Sequence, residues 1–308
     1  MANIRVNMDK LHLMTVYVAV AEEEGFAAGA RRLGMSPPAV TRAISTLEND
    51  LGVKLLNRTT RYVRCTEAGV RYLNDVKNIL HDVQTANDAA SGINATPQGH
   101  LTVTAPVMFG RMYVMPAIIG YLTKYPDTDV DAVFLDRVVN LLEEGIDVGI
   151  RIGQLPDSSM RALKVGSVRL ILCASADYLT AQGTPKEPAD LMEHNIILSR
   201  GVTPSTNWQF ENKGEQQLIK LKPKLTVTSN DAAIEAALNN FGITRLLSYQ
   251  VAPYLTSGKL KVILQEYEPP AKPIHVVHRE NHLTTAKVRA FIDLIAEKLR
   301  ADKALNYS

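Results

Sequence analysis

Apolar residues recur at helical spacing in the segment that follows Ser36. Val40, Ile44 and Leu47 are three or four residues apart and predict the apolar face of a helix. The polar side chains between them point away from that face, where they can form hydrogen bonds with a partner. These polar residues are Thr41, Arg42 and Ser45.

A second short helix is expected just before this one. Residues 27–33 are rich in Ala and Arg and contain no β-branched residue, which favours a helix. Gly34 suits the left-handed position that ends such a helix. Ser36 followed by Pro37 suits the start of the next helix, with the Ser36 hydroxyl as its N-cap. Two helices around a tight turn predict a helix-turn-helix, whose second helix can lie in a DNA major groove; an ordinary packed helix pair is the alternative.

The flanks of this pair strengthen the DNA-binding interpretation. Asp9 is predicted to cap a supporting first helix. The predicted core stripe of that helix is Leu11, Met14, Val18 and Ala21. After the pair, the segment 54–64 contains four basic residues and no acidic one, which fits a β-wing that follows phosphates. Those four residues are Lys54, Arg58, Arg61 and Arg64.

One long helix is predicted over 67–91, with Thr66 as its cap. Four of its apolar residues recur in a register that continues to Asn87, which is typical of a coiled-coil seam and predicts a homodimer. The four residues are Leu73, Val76, Leu80 and Val83. An amphipathic helix packed on its own domain is the alternative. The small, polar segment 92–99 is predicted to be a hinge. The predicted first domain therefore covers 1–66.

From His100 onward, predicted strands alternate with predicted helices, which is typical of doubly wound, mainly parallel α/β sheets. The predicted strands are 101–104, 130–134, 148–151, 168–174, 195–198, 225–228, 243–247 and 274–277. The predicted helices are 109–125 with a kink at Pro116, 138–144 ended by Gly145, 231–240 and 285–299. The chain is predicted to form two lobes, and Gly and Pro residues near 165–167 and 268–270 predict the two points at which it passes from one lobe to the other. Lobe I then covers 100–167 and 269–302, and lobe II covers 168–268.

Two such lobes predict a ligand cleft at the carboxyl ends of their parallel strands. Backbone N–H groups of the loop after the first strand can hold an anion, and hydroxyl and guanidinium groups suit a carboxylate. The candidate effector-binding residues are Pro106, Val107, Met108, Phe109, Arg151, Gly153, Ser199, Arg200, Ser229, Asn230 and Thr244. For each of them, a role within the fold itself is the alternative.

The sequence contains no nucleotide-type glycine loop, and no catalytic residue, metal site or cofactor is predicted. His275, His278 and His282 are three or four residues apart, and strand residues three apart face opposite sides, which disfavours a metal site. Cys65 and Cys173 fall in different predicted domains and fit a reducing cytoplasm. Trp208 is predicted to pack in a core or at the edge of a lobe.

The composition is that of a soluble globular protein. Hydrophobic residues make up 46% and charged residues 21% of the chain. The net charge is only +2, so binding of nucleic acid must come from a local basic patch. The start of the chain carries charges and no long apolar run, so no signal peptide or membrane span is expected.

At these motifs the sequence resembles the LysR-type transcriptional regulators. The resemblance extends over nearly the whole chain, and its densest part lies in the segments 17–22, 30–34, 39–42, 47–48, 51–53, 55–61 and 66–69. It implies a mainly α, amino-terminal winged helix-turn-helix with a long linker helix, followed by an α/β two-lobed periplasmic-binding-protein-like effector domain. It also implies binding of double-stranded DNA and of a small-molecule effector, here expected to be anionic, by a homotetramer built as a dimer of dimers.

The resemblance and the helix pattern together nominate the DNA-binding residues. They are Ser36, Pro37, Pro38, Thr41, Arg42, Ser45, Arg58, Thr59, Arg61 and Arg64. The family often has Gln at the positions of Pro37 and Ala43. Neither Pro nor Ala can make a bidentate base contact, so the operator of a relative does not transfer to this chain.

Three other functions are alternatives. A solute-binding protein has the same two lobes, but it needs an export signal and has no helix-turn-helix. An enzyme that uses the cleft needs a nucleophile or an acid–base pair there. An architectural DNA binder lacks sequence preference.

Overall fold

The computed structural model describes residues 4–58, 63–90, 96–155, 160–201, 205–212, 214–279 and 285–306. The chain forms two compact units. One contains residues 1–96 and two short later segments, and the other contains most of the remaining chain.

The first unit is a helix-turn-helix with a two-stranded wing and a long helix. Its elements are α1 (Ile4–Glu22), α2 (Phe26–Arg32), α3 (Pro37–Leu51), β1 (Leu56–Arg58), β2 (Val63–Cys65) and α4 (Glu67–Ala90). The apolar face predicted for α3 is confirmed, because Val40, Ile44 and Leu47 are fully buried. Gly34 has φ +62°, the left-handed conformation expected after α2.

The prediction for α1 is wrong in two respects. The helix begins at Ile4, so Asp9 lies inside it and does not cap it. Of the predicted stripe only Met14 is buried, whereas Leu11, Val18 and Ala21 are half-buried. Helix α1 is covered by α2, α3 and α4. Its core face is therefore broader than one stripe, and its fully buried residues are Val16, Tyr17, Ala19 and Val20.

The long helix α4 begins as predicted. The backbone N–H of Gly69 donates to the Thr66 hydroxyl at 2.9 Å, which caps its first turn. Val76 is fully buried within its own chain, and Leu73 packs against the core of the first unit. The half of the predicted coiled-coil seam that contains Leu73 and Val76 therefore packs on its own domain, as the alternative prediction of an amphipathic helix requires. Val70 and Ile79 are the large apolar residues that α4 exposes among its described side chains.

The second unit contains two five-stranded sheets, one in each lobe. The strands of lobe I are β3 (Gly99–Ala105), β4 (Thr128–Phe134), β5 (Val148–Ile152), β6 (Met160–Val168) and β14 (Lys272–Arg279). Those of lobe II are β7 (Leu170–Ser175), β8 (Ile196–Ser199), β11 (Leu225–Val227), β12 (Ile243–Leu247) and β13 (Leu260–Ile263). The lobe I sheet has the order β4-β3-β5-β14-β6, and the lobe II sheet has the order β11-β8-β12-β7-β13. A separate hairpin consists of β9 (Asn207–Asn212) and β10 (Glu215–Lys220).

In each sheet three neighbouring strands are parallel, and the other two are added in antiparallel pairing. Strand β14 pairs with β5 and β6, which confirms the predicted return of the chain to the first sheet. The helices of this unit are α5 (Val107–Phe109), α6 (Met115–Lys124), α7 (Ala176–Gln182), α8 (Asn230–Leu238), α9 (Ser248–Thr256) and α10 (Ala286–Ala301). A π-helical turn, Gly110–Val114, joins α5 to α6, so the helix predicted from Phe109 is interrupted before Pro116.

Two other predictions for the chain after residue 100 are corrected. Residues 141–145 form turns, not a helix, because the Asn140 side chain accepts the backbone N–H of Leu142 at 3.1 Å and so competes with helical hydrogen bonding. The first crossing lies at Arg169 instead of 165–167, since β6 continues to Val168. A Cβ at Gly166 would lie 2.4 Å from the Leu305 carbonyl oxygen, so this glycine permits close packing and does not mark a hinge.

In the part of the chain that the structure describes, no helix is both long enough and apolar enough to cross a membrane.

Candidate nucleic-acid interface and interlobe site

The N-terminus of α3 presents side chains and almost no free backbone donors. Pro37 and Pro38 have no N–H, and the N–H of Ala39 donates to the Ser36 carbonyl at 2.9 Å. Ser36 is the N-cap residue, as predicted, but its side chain accepts no capping hydrogen bond, because Pro38 has no N–H and the N–H of Ala39 donates to the Ser36 carbonyl instead. Its exposed hydroxyl is therefore not used in capping, and recognition depends on side chains.

The predicted reading side chains lie on one side of α3, away from its buried face. Arg42 is exposed, while Thr41 and Ser45 are half-buried. The Thr41 hydroxyl donates to the Pro37 carbonyl at 3.0 Å, which leaves its oxygen lone pairs available as acceptors. Arg42 therefore presents the long cationic donor of this surface.

The wing is an antiparallel pair in which Asn57 is opposite Arg64. Both of these side chains are exposed. Thr59 and Arg61 lie outside the described residues, as does the side chain of Arg58, so their predicted DNA contacts stay predictions. Arg64 is the wing guanidinium that the structure describes.

Glu48 joins the recognition helix to the root of the wing, which is an arrangement that the sequence analysis missed. One carboxylate oxygen accepts the backbone N–H groups of Leu55 and Leu56 at 2.9 and 3.1 Å, and the other accepts Lys54 Nζ at 2.7 Å. Lys54 was counted among the four basic residues of the predicted wing segment. Its ammonium is paired with an acid that lies outside that segment, on α3.

The chain should lose stability in acid in part through Glu48. Burial tends to raise the pKa of Glu48, but hydrogen bonds from Lys54, Leu56 and Leu55 outweigh it and hold this pKa below its ordinary value of 4.5. Tyr17 is the other titratable group near this carboxylate. A carboxyl with a lowered pKa in the folded state stabilises that state above pH 4.5, and this contribution is lost as the pH falls through the lowered pKa.

Urea unfolding of the full chain at pH 6 and at pH 4 measures this effect. We expect Glu48→Gln to reduce the loss of unfolding free energy between the two pH values, because Gln does not titrate. Glu22→Gln is the comparison variant: Glu22 also has a lowered pKa, but its ion pairs with Lys77 and Arg32 are more exposed, so this substitution should reduce the loss by less. An unchanged pH dependence in Glu48→Gln would exclude a contribution from this carboxylate.

In lobe II, polar residues gather at the carboxyl ends of β8 and β11. The buried Ser199 hydroxyl donates to Asn230 Oδ1 at 2.5 Å, and the Ser229 hydroxyl caps α8 by accepting the N–H of Ala232. Arg200 follows Ser199 and its side chain is exposed. Ser199, Asn230 and Ser229 therefore have roles within the fold, whereas Arg200 presents a cation at this edge.

Thr244 lies elsewhere. It is the second residue of β12, where it pairs with Cys173 and Ile197, and it is fully buried. Its hydroxyl has no hydrogen-bond partner among the described residues. It is therefore not at the carboxyl end of its strand.

In lobe I, the loop predicted to hold an anion already has a carboxylate partner. Asp136 accepts the backbone N–H of Val107 at 3.0 Å, and Pro106 has no N–H. Met108 and Phe109 are buried in the core. The loop therefore presents fewer donors to a ligand than its sequence suggests.

Arg151 and Gly153 lie at the end of β5. Arg151 is half-buried and pairs across the sheet with His275 of β14. The N–H of Gly153 donates to the Pro273 carbonyl at 2.9 Å, and its φ of +118° suits glycine. Burial lowers the pKa of His275, which favours its neutral form.

The two lobes are joined by contacts between residues that are far apart in sequence. Arg111 donates to Asp231 at 3.1 Å, which connects the π-helical turn of lobe I to the first turn of α8 in lobe II. The Tyr249 ring, which follows β12, packs edge-on against Phe109 and Tyr113 with centroid distances of 5.2 and 5.9 Å. Phe109 follows the carboxyl end of β3, and Tyr249 follows that of β12.

An ion pair links the two crossings between the lobes. Arg169 lies between β6 and β7, and its Nε is 3.6 Å from a carboxylate oxygen of Glu268 on the returning segment. Ser248 fixes the same crossing, because its hydroxyl accepts the N–H of Arg169 at 3.1 Å and its own N–H donates to the Arg169 carbonyl at 2.9 Å. The predicted second crossing near 268–270 lies between β13 of the lobe II sheet and β14 of the lobe I sheet.

Metal and thiol chemistry receive no support from the described residues. Among them, no group of three or more His, Cys, Asp or Glu side chains is arranged to hold a metal ion. Burial raises the pKa of Cys173 to about 12, so its thiol is protonated at neutral pH. Trp208 is buried, as predicted, with the Arg245 guanidinium 4.6 Å from its ring centroid.

A winged helix-turn-helix and a two-lobed α/β unit in one chain define a ligand-responsive DNA-binding regulator. Comparisons with known proteins agree. Residues 11–70 match the model of the bacterial regulatory helix-turn-helix protein, lysR family, and residues 94–300 match the LysR substrate binding domain. The chain belongs to the LysR family of transcriptional regulators.

Relatives of known sequence extend over almost the entire chain. The transcriptional regulator DmlR of Escherichia coli K12 is 34% identical over 292 residues, which is 94% of this chain and 95% of that protein. An uncharacterised regulator of Haemophilus influenzae is 31% identical and covers 91% of this chain and 98% of its own length.

Solved structures show the same architecture. CrgA of Neisseria meningitidis, a LysR-type regulator, is 29% identical, covers 94% of this chain and 98% of its own, and superimposes with a TM-score of 0.60. The Vibrio cholerae virulence activator AphB is 25% identical with the same coverage and a TM-score of 0.63. The protein is thus a transcriptional regulator with a DNA-binding and an effector-binding domain, and the solute-binding and enzyme alternatives are set aside.

Proposed function

We propose that Arg42 reads bases and that Arg64 contacts phosphate. The observation that carries this assignment is the blocked N-terminus of α3, where two prolines and an internally bonded N–H leave recognition to exposed side chains. Arg paired to guanine is the commonest specific contact in the major groove. Ser36, Thr41 and Ser45 supply shorter polar contacts on the same helix, and the wing supplies affinity without sequence preference.

The effector is proposed to be a small anionic metabolite held between the lobes. The exposed guanidinium of Arg200 supports this ligand class, because a charge-assisted hydrogen bond to a carboxylate is among the strongest polar contacts. Arg200 has no ion pair within the described ranges, unlike Arg111, which is paired with Asp231. Arg200 is therefore the cation best placed to contact the ligand.

Ligand binding is proposed to shift the relative orientation of the lobes, and with it the spacing of paired DNA-binding heads. The Arg111–Asp231 pair and the Tyr249 ring contacts are the interlobe interactions that such a shift would change. As a DNA-binding protein, the regulator would act in the cytoplasm, where a bacterial chromosome lies.

Thermal-shift screening of the full-length protein against mono- and dicarboxylates, together with uncharged and cationic metabolites, tests the ligand class. A ligand should raise the melting temperature with increasing concentration, because it binds the folded state. A carboxylate that binds and also changes the footprint on DNA supports the proposal. Response to uncharged or cationic metabolites alone would contradict it.

We also propose a homodimer through α4 and a homotetramer built from two dimers. The exposed apolar side chain of Ile79, 42% accessible in the single chain, supports α4 as a contact surface. Because a buried charge in such a contact is costly, Ile79→Glu should lower the dimer affinity at least about ten-fold.

Sedimentation equilibrium over a range of protein concentrations measures this change. Asn74→Glu is the matched control, since it adds the same charge to an exposed polar position of α4. An Ile79→Glu protein that assembles like the wild type would exclude this part of α4 from the interface.

A further inference from the structure

DNA binding by a winged helix-turn-helix requires two elements to meet one duplex together. The recognition helix α3 ends at Leu51, and the wing starts at Leu56, so only residues 52–55 connect them. Gly52 ends α3 in the left-handed conformation, and the N–H groups of Gly52 and Val53 donate to the Asn49 and Glu48 carbonyls at 3.2 Å. These bonds fix the start of the link, so the direction of the wing depends further on the contacts of residues 54–56.

Glu48 makes the contacts that connect α3 directly to this root. It is 2% exposed, and its two carboxylate oxygens accept three hydrogen bonds, from Leu55 N–H, Leu56 N–H and Lys54 Nζ. A buried carboxylate is strongly disfavoured unless such donors surround it, so the three donors are held at fixed distances. Two of them are backbone groups, which means that the path of the chain itself is fixed.

The second strand of the wing is attached elsewhere. The N–H of Val63 donates to the Glu24 carbonyl after α1 at 3.3 Å, and the Leu55 carbonyl accepts Thr66 N–H at 2.9 Å just before α4. Glu48 makes direct polar contacts between α3 and the wing root through its side chain. Its position is too deep for contact with DNA.

We propose that Glu48 is a positioning residue for DNA binding, which holds β1 against the end of α3 so that Arg64 meets a phosphate while Arg42 reads bases. This role rests on the proposed contacts of Arg64 and Arg42. It differs from a general contribution to folding, because it predicts energetic coupling between Glu48 and a residue of the wing surface.

A double-mutant cycle on the full-length protein tests this coupling. The variants are Glu48→Gln, Arg64→Ala and both together, and the probe is a duplex selected from a random pool by the wild type. The binding-competent fraction of each variant is first determined by titration. Fluorescence anisotropy then gives Kd over a range of NaCl concentrations. In the wild type, Arg64→Ala should weaken binding and flatten the salt slope by about 0.9, the value for one phosphate contact.

In the Glu48→Gln background, Arg64→Ala should have less than about half of this effect on log Kd, because a displaced wing no longer brings Arg64 to the phosphate. If the effects of the two substitutions on log Kd are additive, the proposal is overturned and Glu48 has a purely structural role. If Arg64→Ala has no effect in the wild type, the wing assignment fails instead, so the two failures are distinguishable.

Lys54→Met is the second variant. It removes one of the three donors and leaves both backbone bonds to Glu48, so it should give the same coupling with Arg64 at reduced size. If Glu48→Gln does not fold, the Lys54→Met cycle decides alone: reduced dependence on Arg64 supports the positioning role, and full additivity overturns it.

Discussion

Replacing Arg42 by Ala is expected to relax base preference at one position of the selected DNA site and to cost about 1–3 kcal/mol of binding there. Arg42 is the exposed cation of the α3 surface, and the prolines at the start of the helix leave no backbone donor to take its place. Selection from a random duplex pool, followed by Kd measurements at fixed salt, gives the preference at each position.

Arg64→Ala is the contrasting variant. Loss of a phosphate contact should weaken binding to all duplexes similarly and flatten the salt dependence, while the selected sequence stays the same. If Arg42→Ala behaves in this uniform way, Arg42 contacts the backbone and the base-reading assignment is wrong.

Replacing Arg200 by Ala should weaken binding of the anionic effector by about 1.5–3 kcal/mol, the usual value of a hydrogen bond to a charged group. Arg200 is exposed at the carboxyl end of β8, directly after the buried Ser199–Asn230 hydrogen bond that fixes the strand end. Isothermal titration of the full-length protein with a carboxylate from the thermal-shift screen measures this loss.

Two controls separate ligand contact from closure of the lobes. Arg111→Ala removes a guanidinium that is already paired with Asp231, so it should change effector affinity less than Arg200→Ala. Arg42→Ala should leave effector affinity unchanged, and Arg200→Ala should leave the DNA preference of the ligand-free protein unchanged. Equal effector affinity in Arg200→Ala and wild type would remove Arg200 from the site.

The helix-turn-helix was predictable because its signals are local. Pro37 sets the first helical position of α3, Gly34 takes the left-handed conformation after α2, and three apolar residues at helical spacing define the buried face. Each of these features depends on residues within one or two turns. The βαβ order and the returning strand β14 were likewise visible as changes in hydrophobic period.

The interactions that position the sites were not predictable in the same way. Arg111 and Asp231 are 120 residues apart, and Ser199 and Asn230 are 31 apart, so no local pattern relates them. Glu48 is close to Lys54 in sequence, but two of its three partners are backbone N–H groups, which have no sequence signature. The turn at 141–145 was mistaken for a helix because the hydrogen bonds of the Asn140 side chain outweigh helical periodicity there.

The most direct test of a DNA reader governed by a ligand-binding unit is selection of duplexes from a random pool by the full-length protein, with and without a carboxylate that raises its melting temperature. We expect enrichment of two related half-sites over bulk competitor, as a dimeric reader requires, and a change in their preferred spacing or footprint when the carboxylate is present. Enrichment of no sequence, or an identical footprint in both conditions with ligand bound, would contradict this account.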